Sequence, residues 1–289
     1  MKNKYVKMMF VLSFTGLLLT SCYKEFDPST YAPVFTINGY SSVNQIKPGN
    51  LVGYWAFDES LIDSISNASA TNSGTSFMNG FIGKGLSLNV ANTSYILVNP
   101  TTSITSGLQS FTVSFWVNPT FIDGNNDNGI DGILGLVNLS NVSNFWGNLD
   151  WFVENGSNPN AAKVVVHVTG GTGETWINKS NLTGFFGKWS NHTLTYDAST
   201  SMLTYYINGS VAVPATATAW TGPVSFANSG PWVFGCVHFQ TKPSLTSGTG
   251  AQDWASYLTG SLDEVRIYNV ALTATEVNSL VVLQGKAGN

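Results

Sequence analysis

The chain has 289 residues, of which 43% are hydrophobic, 13% aromatic and only 10% charged, and its formal net charge is −4. So few charged residues beside so many aromatic ones exclude intrinsically disordered chains, which show the opposite balance. They also exclude coiled coils, which are built largely from charged residues, Ala and Leu. Ser, Thr, Asn and 29 Gly take the place of the charged residues. Because these residues favour turns and strands over helices, the composition predicts an all-β protein.

Residues 1–21 have the organisation of a secretory signal. Three lysines stand within the first seven residues, an apolar run covers 8–19, and the segment closes on Leu19-Thr20-Ser21-Cys22. The run is shorter than the ~20 residues that a membrane-spanning helix needs. The ending resembles the lipobox of bacterial lipoproteins, which implies that Cys22 becomes the first mature residue and carries a membrane-anchoring lipid. An ordinary signal peptide with a Cys near the cleavage point is the alternative.

Loss of the signal makes the chain more acidic. It removes the three lysines of residues 1–21 and no Asp or Glu. A protein that binds nucleic acid needs a basic face, so we expect no nucleic-acid partner. If Cys22 is lipidated, Cys236 is the one cysteine left and no intrachain disulfide can form.

The mature chain divides into a tether and one domain. Residues 22–48 carry Pro28, Pro33 and Pro48 with little hydrophobic periodicity, which predicts a flexible tether. Residues 49–285 contain short alternating runs typical of strands, separated by turn residues. Asn208-Gly209 stands between two such runs and predicts a hairpin. A helix is predicted at 273–280, with its capping box formed by the residues at 273 and 276.

Several segments resemble the LamG-like jelly-roll domains of the concanavalin A-like superfamily. They follow one another in the family's order and span about residues 51–283. The resemblance rests on Gly53-Tyr54-Trp55-Ala56-Phe57-Asp58-Glu59, Gly83-Lys84-Gly85-Leu86, Ser110-Phe111-Thr112-Val113-Ser114-Phe115-Trp116, Tyr206-Ile207-Asn208-Gly209 and Gly260-Ser261-Leu262-Asp263-Glu264-Val265-Arg266-Ile267-Tyr268. It implies an all-β fold, a two-sheet antiparallel jelly-roll sandwich with one short C-terminal helix.

Catalytic carboxylates are not evident. A glycosidase needs two carboxyl groups across one sugar bond, and laminarinase-type members of the superfamily carry a Glu-x-Asp-x-x-Glu strand. The closest segment here is Asp150-Trp151-Phe152-Val153-Glu154, in which the middle acid is missing. Asp263 and Glu264 are adjacent, so in a strand they point to opposite faces. We therefore expect a non-catalytic protein, with a glycoside hydrolase or polysaccharide lyase on the same fold as the alternative.

The resemblance also implies a structural Ca²⁺ near the joined terminal strands. Asp58 and Asp263 match the family positions that supply side-chain oxygens. The alternative is that these acids only stabilise turns. An acidic loop at 123–131 is superficially similar to an EF-hand loop but lacks the Glu at its twelfth position, and a hydrated loop is the alternative there.

Tryptophans in predicted loops indicate the class of ligand. Sugars stack their C–H faces on aromatic rings, and binding sites combine such rings with a few polar groups. Four candidates lie outside the family's core motifs, within or beside stretches rich in Asn, Gly and Ser: Trp146, Trp151, Trp176 and Trp254. Filling of loop cores is the alternative for each. We expect at least one of them to be a sugar platform.

Together these features predict a lipid-anchored protein that captures carbohydrate. Lys24-Glu25-Phe26-Asp27 resembles the acidic export tags of Bacteroidetes surface lipoproteins, which implies the outer membrane and its exposed face. The expected partner is a polysaccharide or other glycan, and a role in polysaccharide utilisation follows by analogy. A protein-binding adhesion module is the further alternative.

Overall fold

The computed structural model describes residues 35–122, 133–154 and 160–288. Contacts divide the chain into two compact units, Met1–Phe35 and Thr36–Asn289, and the fold described below belongs to the second. The predicted signal at 1–21, the lipidation site Cys22 and the acidic loop at 123–131 lie outside the described residues. Within the described ranges, no helix has the length and apolar character needed to cross a membrane.

Strands make up most of the regular secondary structure of the described residues. In chain order these are β1 (Leu51–Trp55), β2 (Ala70–Ser73), β3 (Ser76–Asn79), β4 (Lys84–Leu88), β5 (Tyr95–Val98), β6 (Phe111–Pro119), β7 (Ile133–Gly135), β8 (Val137–Asn141), β9 (Leu149–Glu154), β10 (Ala162–Gly170), β11 (Gly173–Leu182), β12 (Ser190–Asp197), β13 (Met202–Ile207), β14 (Ser210–Ala217), β15 (Ser229–Phe234), β16 (Ala255–Ser256) and β17 (Gly260–Tyr268). Helix α1 (Ala274–Ala287) follows the last strand. Short 3-10 helices cover Val43–Gln45, Pro48–Asn50, Val90–Asn92, Thr102–Ile104 and His238–Gln240.

The strands form two sheets. Sheet 1 has the order β14-β13-β12-β6-β17-β4-β3, with β1 also pairing with β17. Sheet 2 has the order β11-β10-β9-β8-β15-β5-β2, with β7 pairing with β9 and β16. The pairings are antiparallel apart from the short parallel β7–β16 pair. The predicted two-sheet antiparallel sandwich with a C-terminal helix is confirmed.

The core lies between the sheets and is rich in aromatic rings. Trp55 of β1 meets Phe234 of β15 edge to face at 5.3 Å, and Phe115 of β6 meets Trp151 of β9 in the same way at 4.7 Å. Successive strand residues point to opposite faces, so alternate positions of each strand reach this core. Each buried ring removes about 150–250 Å² from water, which makes the rings major contributors to the sandwich.

Helix α1 docks on the outer face of sheet 1 through a buried polar network. Glu264 accepts hydrogen bonds from the Tyr54 hydroxyl at 2.6 Å, from Arg266 at 2.9 Å and from Gln284 of the helix at 2.8 Å. The side-chain oxygen of Gln284 accepts from the Trp116 indole at 3.0 Å. The carboxylate is thus satisfied away from water, and it ties the helix to β17.

The predicted capping box and hairpin are both present. The Thr273 hydroxyl accepts from the backbone N–H of Glu276, whose carboxylate accepts from the Thr273 N–H at 2.8 Å. Asn208 and Gly209 have positive φ angles of 49° and 75° and join β13 to β14. Asn and Gly tolerate this backbone conformation better than other residues, which explains why the turn falls there.

The tether predicted for 22–48 is wrong for its last residues. Residues 36–48 pack on the domain, because Ile46 is only 1% exposed and lies in a cluster with Leu272 and Leu280. Asn38 donates to the Ser279 hydroxyl of α1 at 3.0 Å. The apolar contact of Ile46 holds this segment on the domain, although the prolines and polar residues around it predict a tether.

Candidate functional site

Four aromatic side chains form a continuous exposed surface on the outer face of sheet 2. We call this surface, made of Phe145, Trp146, Trp176 and Trp254, the aromatic strip. Trp176 is 39% exposed, Trp254 41% and Phe145 36%, and Trp146 is half-buried between them. Three of the four tryptophans predicted from the sequence are therefore brought together, although they are far apart in the chain.

Trp146 is the centre of the strip. Its ring centroid lies 5.1 Å from Trp176, 5.3 Å from Phe145 and 6.2 Å from Trp254. Phe145 and Trp254 are close to parallel, with 14° between their planes and 6.2 Å between centroids. These separations are typical of favourable aromatic pairs, so the rings hold one another in place.

Two buried aromatic side chains form an apolar base beneath the strip. Phe239 is fully buried and lies 5.1–5.6 Å from Phe145, Trp146 and Trp254. Phe152 of β9 is also buried and stacks against Trp146 at 5.6 Å. Rings packed on a buried apolar base lose less side-chain entropy on binding than rings on a mobile loop. The strip is therefore preorganised to receive a flat apolar face.

Hydrogen bonds fix the two loops that supply the strip. The Asn141 side chain accepts from the backbone N–H groups of Ser143 and Asn144, which shapes the turn before Phe145. The Gln240 side chain donates to the carbonyl of Ala255 and accepts from the N–H of Gln252. Together with the β7–β16 pairing, these bonds place Trp254.

Trp176 reaches the strip from a strand. It stands opposite His167 in the β10–β11 register, and the two rings stack with centroids 4.1 Å apart and 27° between planes. Directly opposed side chains on one sheet face interact in this way. Since His167 is fully buried and Trp176 is 39% exposed, the indole covers the imidazole and keeps part of its own ring open to solvent.

His167 also joins two carboxylates. Its Nδ1 lies 2.9 Å from Oδ2 of Asp150, and its Nε2 lies 3.1 Å from Oε2 of Glu174. Carboxylates are acceptors only, so two ionised partners require a proton on both ring nitrogens. The imidazole thus bridges Asp150, which is fully buried, and Glu174, whose side chain is 56% exposed.

A second histidine approaches the same buried acid. Nδ1 of His238 and Oδ1 of Asp150 are buried, have no hydrogen-bond partner and lie 3.6 Å apart, which is too long for a hydrogen bond. Burial by itself raises the pKa of Asp150, but the facing imidazoles of His167 and His238 outweigh it and hold that pKa below its usual value. The acid is thus a buried anion beneath the strip.

Trp151 corrects the sequence prediction. It is fully buried and packs between Phe115 and Tyr205, at 4.7 and 5.4 Å, on the core side of β9. Its neighbours Asp150 and Phe152 point to the outer face instead, as strand alternation requires. A ligand on the strip cannot reach Trp151, so its assignment as a ligand-binding residue is wrong.

Asp58 and Asp263, predicted to hold Ca²⁺, both stabilise the turn between β3 and β4. Asp263 accepts from the backbone N–H groups of Phe81 at 2.8 Å, Ile82 at 3.0 Å and Glu264 at 2.7 Å. Asp58 accepts from the N–H of Lys84 at 2.7 Å. These donors occupy both carboxylate oxygens of Asp263 and Oδ1 of Asp58, and burial raises the pKa of Asp263 to about 7. The two side chains therefore do not fit a Ca²⁺ site in this arrangement.

Other metal and catalytic groupings are equally poorly supported. The described residues contain no cluster of three or more His, Cys, Asp or Glu side chains that could hold a metal ion. Glu154 shares the outer face of β9 with Asp150, as its spacing predicts, but it forms an ion pair with Lys163. Asp150 is buried and bonded to His167, so it is not placed to touch a substrate.

Sequence reasoning missed Phe145, His167 and Glu174 as parts of this site. A signal for the last two was present, because Glu174 and Trp176 are two residues apart and so share one face of a strand. His167 lies on that same sheet face, opposite Trp176, only if the hairpin closes at Gly170 and Gly173. The structure has this register. Phe145 carried no such signal, since its position depends on how its loop folds.

Comparisons with known proteins agree on the fold. The Laminin_G_3 family model, described as concanavalin A-like lectin/glucanases superfamily, matches residues 90–278. No curated protein matches the chain. Among solved structures, the binding domain of Paraclostridial Mosquitocidal Protein 1 matches with a TM-score of 0.57 and 21% identity, over 81% of this chain and 52% of that one.

Two further structures show the range of binding proteins with this fold. Domain 4 of AbnA, a GH43 extracellular arabinanase from Geobacillus stearothermophilus in complex with arabinotriose, matches with a TM-score of 0.53 and 19% identity, over 80% of this chain and 98% of that one. Botulinum neurotoxin type C, whose cell entry depends on interaction with two ganglioside molecules, matches with a TM-score of 0.61 and 15% identity, over 84% and 53%. The chain spans about half the length of the toxin chains it matches.

Proposed function

Since the chain belongs to the Laminin_G_3 family of the concanavalin A-like lectin/glucanases superfamily, we propose that it binds carbohydrate on the aromatic strip without cleaving it. The observation that carries this proposal is the convergence of Trp146, Trp176 and Trp254 on one buried base. Exposed rings that are held rigidly offer a large contact area at a small cost in entropy. They can stack on the C–H faces of sugar rings, and Glu174 stands beside them as a hydrogen-bond acceptor.

A non-catalytic role fits the carboxylates around the strip. Asp150 is buried beneath the imidazole of His167, and Glu154 is paired with Lys163. Hydrolysis needs two carboxyl groups facing one glycosidic bond, one of them free to donate a proton. The arrangement of these acids supports binding over cleavage.

The test is retention of the purified protein by immobilised polysaccharides, in gels containing laminarin, arabinan, xylan, alginate or polygalacturonate. Retention that Trp176→Ala and Trp254→Ala reduce supports the proposal. Phe77→Ala is the matched control, because Phe77 is similarly exposed, at 37%, on β3 of sheet 1. No retention on any gel would overturn the proposal, and release of reducing ends would replace it with a hydrolase.

We extend the proposal to location and cofactor. The Leu-Thr-Ser-Cys ending supports a lipid on Cys22 and anchoring in the outer membrane, where the strip would meet extracellular polysaccharide. Incorporation of labelled fatty acid that Cys22→Ala abolishes would test the anchor. Ca²⁺ dependence, predicted from the family resemblance, stays a prediction; repeating the gels with a chelator tests it, and the contacts of Asp58 and Asp263 favour unchanged retention.

A further inference from the structure

Glu174 is the acidic group best placed to touch a ligand on the strip. It lies two residues before Trp176 on the same face of β11, and its side chain is 56% exposed. Trp176 offers a ring face, and Glu174 offers carboxylate oxygens next to it. Sugar hydroxyls are hydrogen-bond donors, and bonds in which the acceptor is ionised are roughly twice as strong as neutral ones.

Buried groups hold Glu174 in position. His167 contacts Glu174 through Nε2 at 3.1 Å and Asp150 through Nδ1 at 2.9 Å, while its ring stacks on Trp176. One buried imidazole therefore orients both the stacking ring and the exposed carboxylate. His167 uses one oxygen of Glu174, so the other, Oε1, is available to a ligand.

Another exposed carboxylate stands next to a residue of the strip in the chain. Asp253 is exposed and directly precedes Trp254. Two lysines also belong to this face: Lys163 is held by Glu154 at the opposite end of β10, and the Nζ of Lys242 lies 6.0 Å from the ring centroid of Tyr257. Among these charges, Glu174 is the one that the contacts of His167 hold next to a ring of the strip.

We infer that the strip selects uncharged, hydroxyl-rich glycans over glycans that carry carboxylate or sulfate groups, and that Glu174 is the residue that makes this selection. The inference rests on the proposed function and adds to it the ligand class and the specificity-determining side chain. Glu174 acts in two ways: it accepts hydrogen bonds from hydroxyl groups, and it repels an anionic group brought to the same place. Specificity of this kind needs both the attractive and the repulsive element.

The experiment compares wild-type protein with Glu174→Gln on neutral probes, laminarin and arabinan, and on anionic probes, alginate and polygalacturonate. Gln keeps the size and the acceptor oxygen but loses the charge. We expect Glu174→Gln to bind the neutral probe about five- to tenfold more weakly, which corresponds to weakening one charge-assisted hydrogen bond. We also expect it to gain measurable binding to the anionic probes.

Glu59→Gln is the matched control, because Glu59 is an exposed carboxylate on the loop after β1, which belongs to sheet 1. It removes the same charge and should change neither class of binding. Salt provides a second readout: repulsion of the anionic probes should weaken as ionic strength rises, while stacking of the neutral probe should not. A melting curve for each variant shows that it is folded.

The outcomes separate this inference from the proposed function. If wild-type protein binds alginate or polygalacturonate as well as the neutral probes, the selectivity is absent and the inference is overturned, although carbohydrate binding stands. The same holds if Glu174→Gln leaves both classes unchanged. If no probe of either class is bound and the tryptophan variants behave as wild type, the proposed function itself fails.

Discussion

The imidazole of His167 and the indole of Trp176 stand opposite each other on β10 and β11, with centroids 4.1 Å apart. The first ring is fully buried and the second is among the most exposed aromatic groups of the described residues. The exposed side chain proposed to contact the ligand thus packs against a buried, hydrogen-bonded one. This relation connects the stability of sheet 2 to the shape of the candidate site.

Replacing His167 by Ala should therefore lower both stability and binding. Asp150 would keep its charge but lose its 2.9 Å partner, and an unpaired buried charge costs about 3–5 kcal/mol. The free energy of unfolding, measured with urea, should fall by that order. Asp150→Asn in the His167→Ala background should recover part of the loss, since it removes the uncompensated charge. Asp150→Asn alone completes the cycle. If the double variant loses the sum of the two single losses, the two residues are not coupled and the prediction fails.

Trp151 and Trp254 should give opposite results when each is replaced by Ala. Trp151→Ala empties a space between Phe115 and Tyr205 and should cost about 3–5 kcal/mol of unfolding free energy. Its folded fraction should still bind glycan. Trp254→Ala removes an exposed ring, so stability should change little while glycan retention falls. Loss of binding in folded Trp151→Ala would mean that the core tryptophan shapes the site after all.

The same two residue types show how far the sequence could predict the site. Trp151 has Leu149 and Val153 as its same-face neighbours, an apolar set that indicates the core, whereas Trp176 has Glu174 and Asn178, a polar set that indicates the surface. The residues two positions before and after each tryptophan therefore distinguish the core ring from the surface ring. The strand-rich fold, the capping box and the Asn208-Gly209 turn followed from local patterns, the two-sheet sandwich was implied by the family resemblance, and all are confirmed.

The rest of the site depends on tertiary contacts that carry no local pattern. Phe145 and Trp254 belong to loops about a hundred residues apart, and their places depend on side-chain bonds such as Gln240 to Ala255. The contacts of Asp58 and Asp263 with the β3–β4 turn could not be predicted from the sequence either. The family resemblance predicted cation-binding oxygens there, but only the fold reveals that backbone N–H groups donate to both oxygens of Asp263 and to one of Asp58.

Acid should destabilise the protein through Asp150. Burial raises its pKa, but the facing imidazoles of His167 and His238 outweigh that effect, so the folded pKa lies below the value of about 3.9 in the unfolded chain. A depressed carboxylate pKa contributes stability that is present above the unfolded pKa and is lost as pH falls through the folded one. Urea unfolding between pH 5 and pH 2 should show this loss. The Asp150→Asn variant should be less stable at pH 5 and should show a smaller further loss; parallel curves for the two proteins would refute the assignment.

Asp263 should produce the opposite pH dependence. Burial raises its pKa to about 7, against about 3.9 in the unfolded chain, so between these values the folded protein holds a proton that the unfolded chain has released. The contribution of Asp263 to stability is therefore greatest below pH 4 and declines as pH rises to 7, by at most about 1.4 kcal/mol per pH unit.

The comparison for this residue is wild type against Asp263→Asn, unfolded with urea at pH 5 and at pH 7.5. The variant cannot ionise, so its stability should change less between the two pH values than that of the wild type. Asp58→Asn is the control, because it removes an exposed carboxylate that contacts the same turn through the N–H of Lys84. A wild-type protein no less stable at pH 7.5 than at pH 5, relative to Asp263→Asn, would show that the three N–H donors outweigh burial and keep this carboxylate ionised.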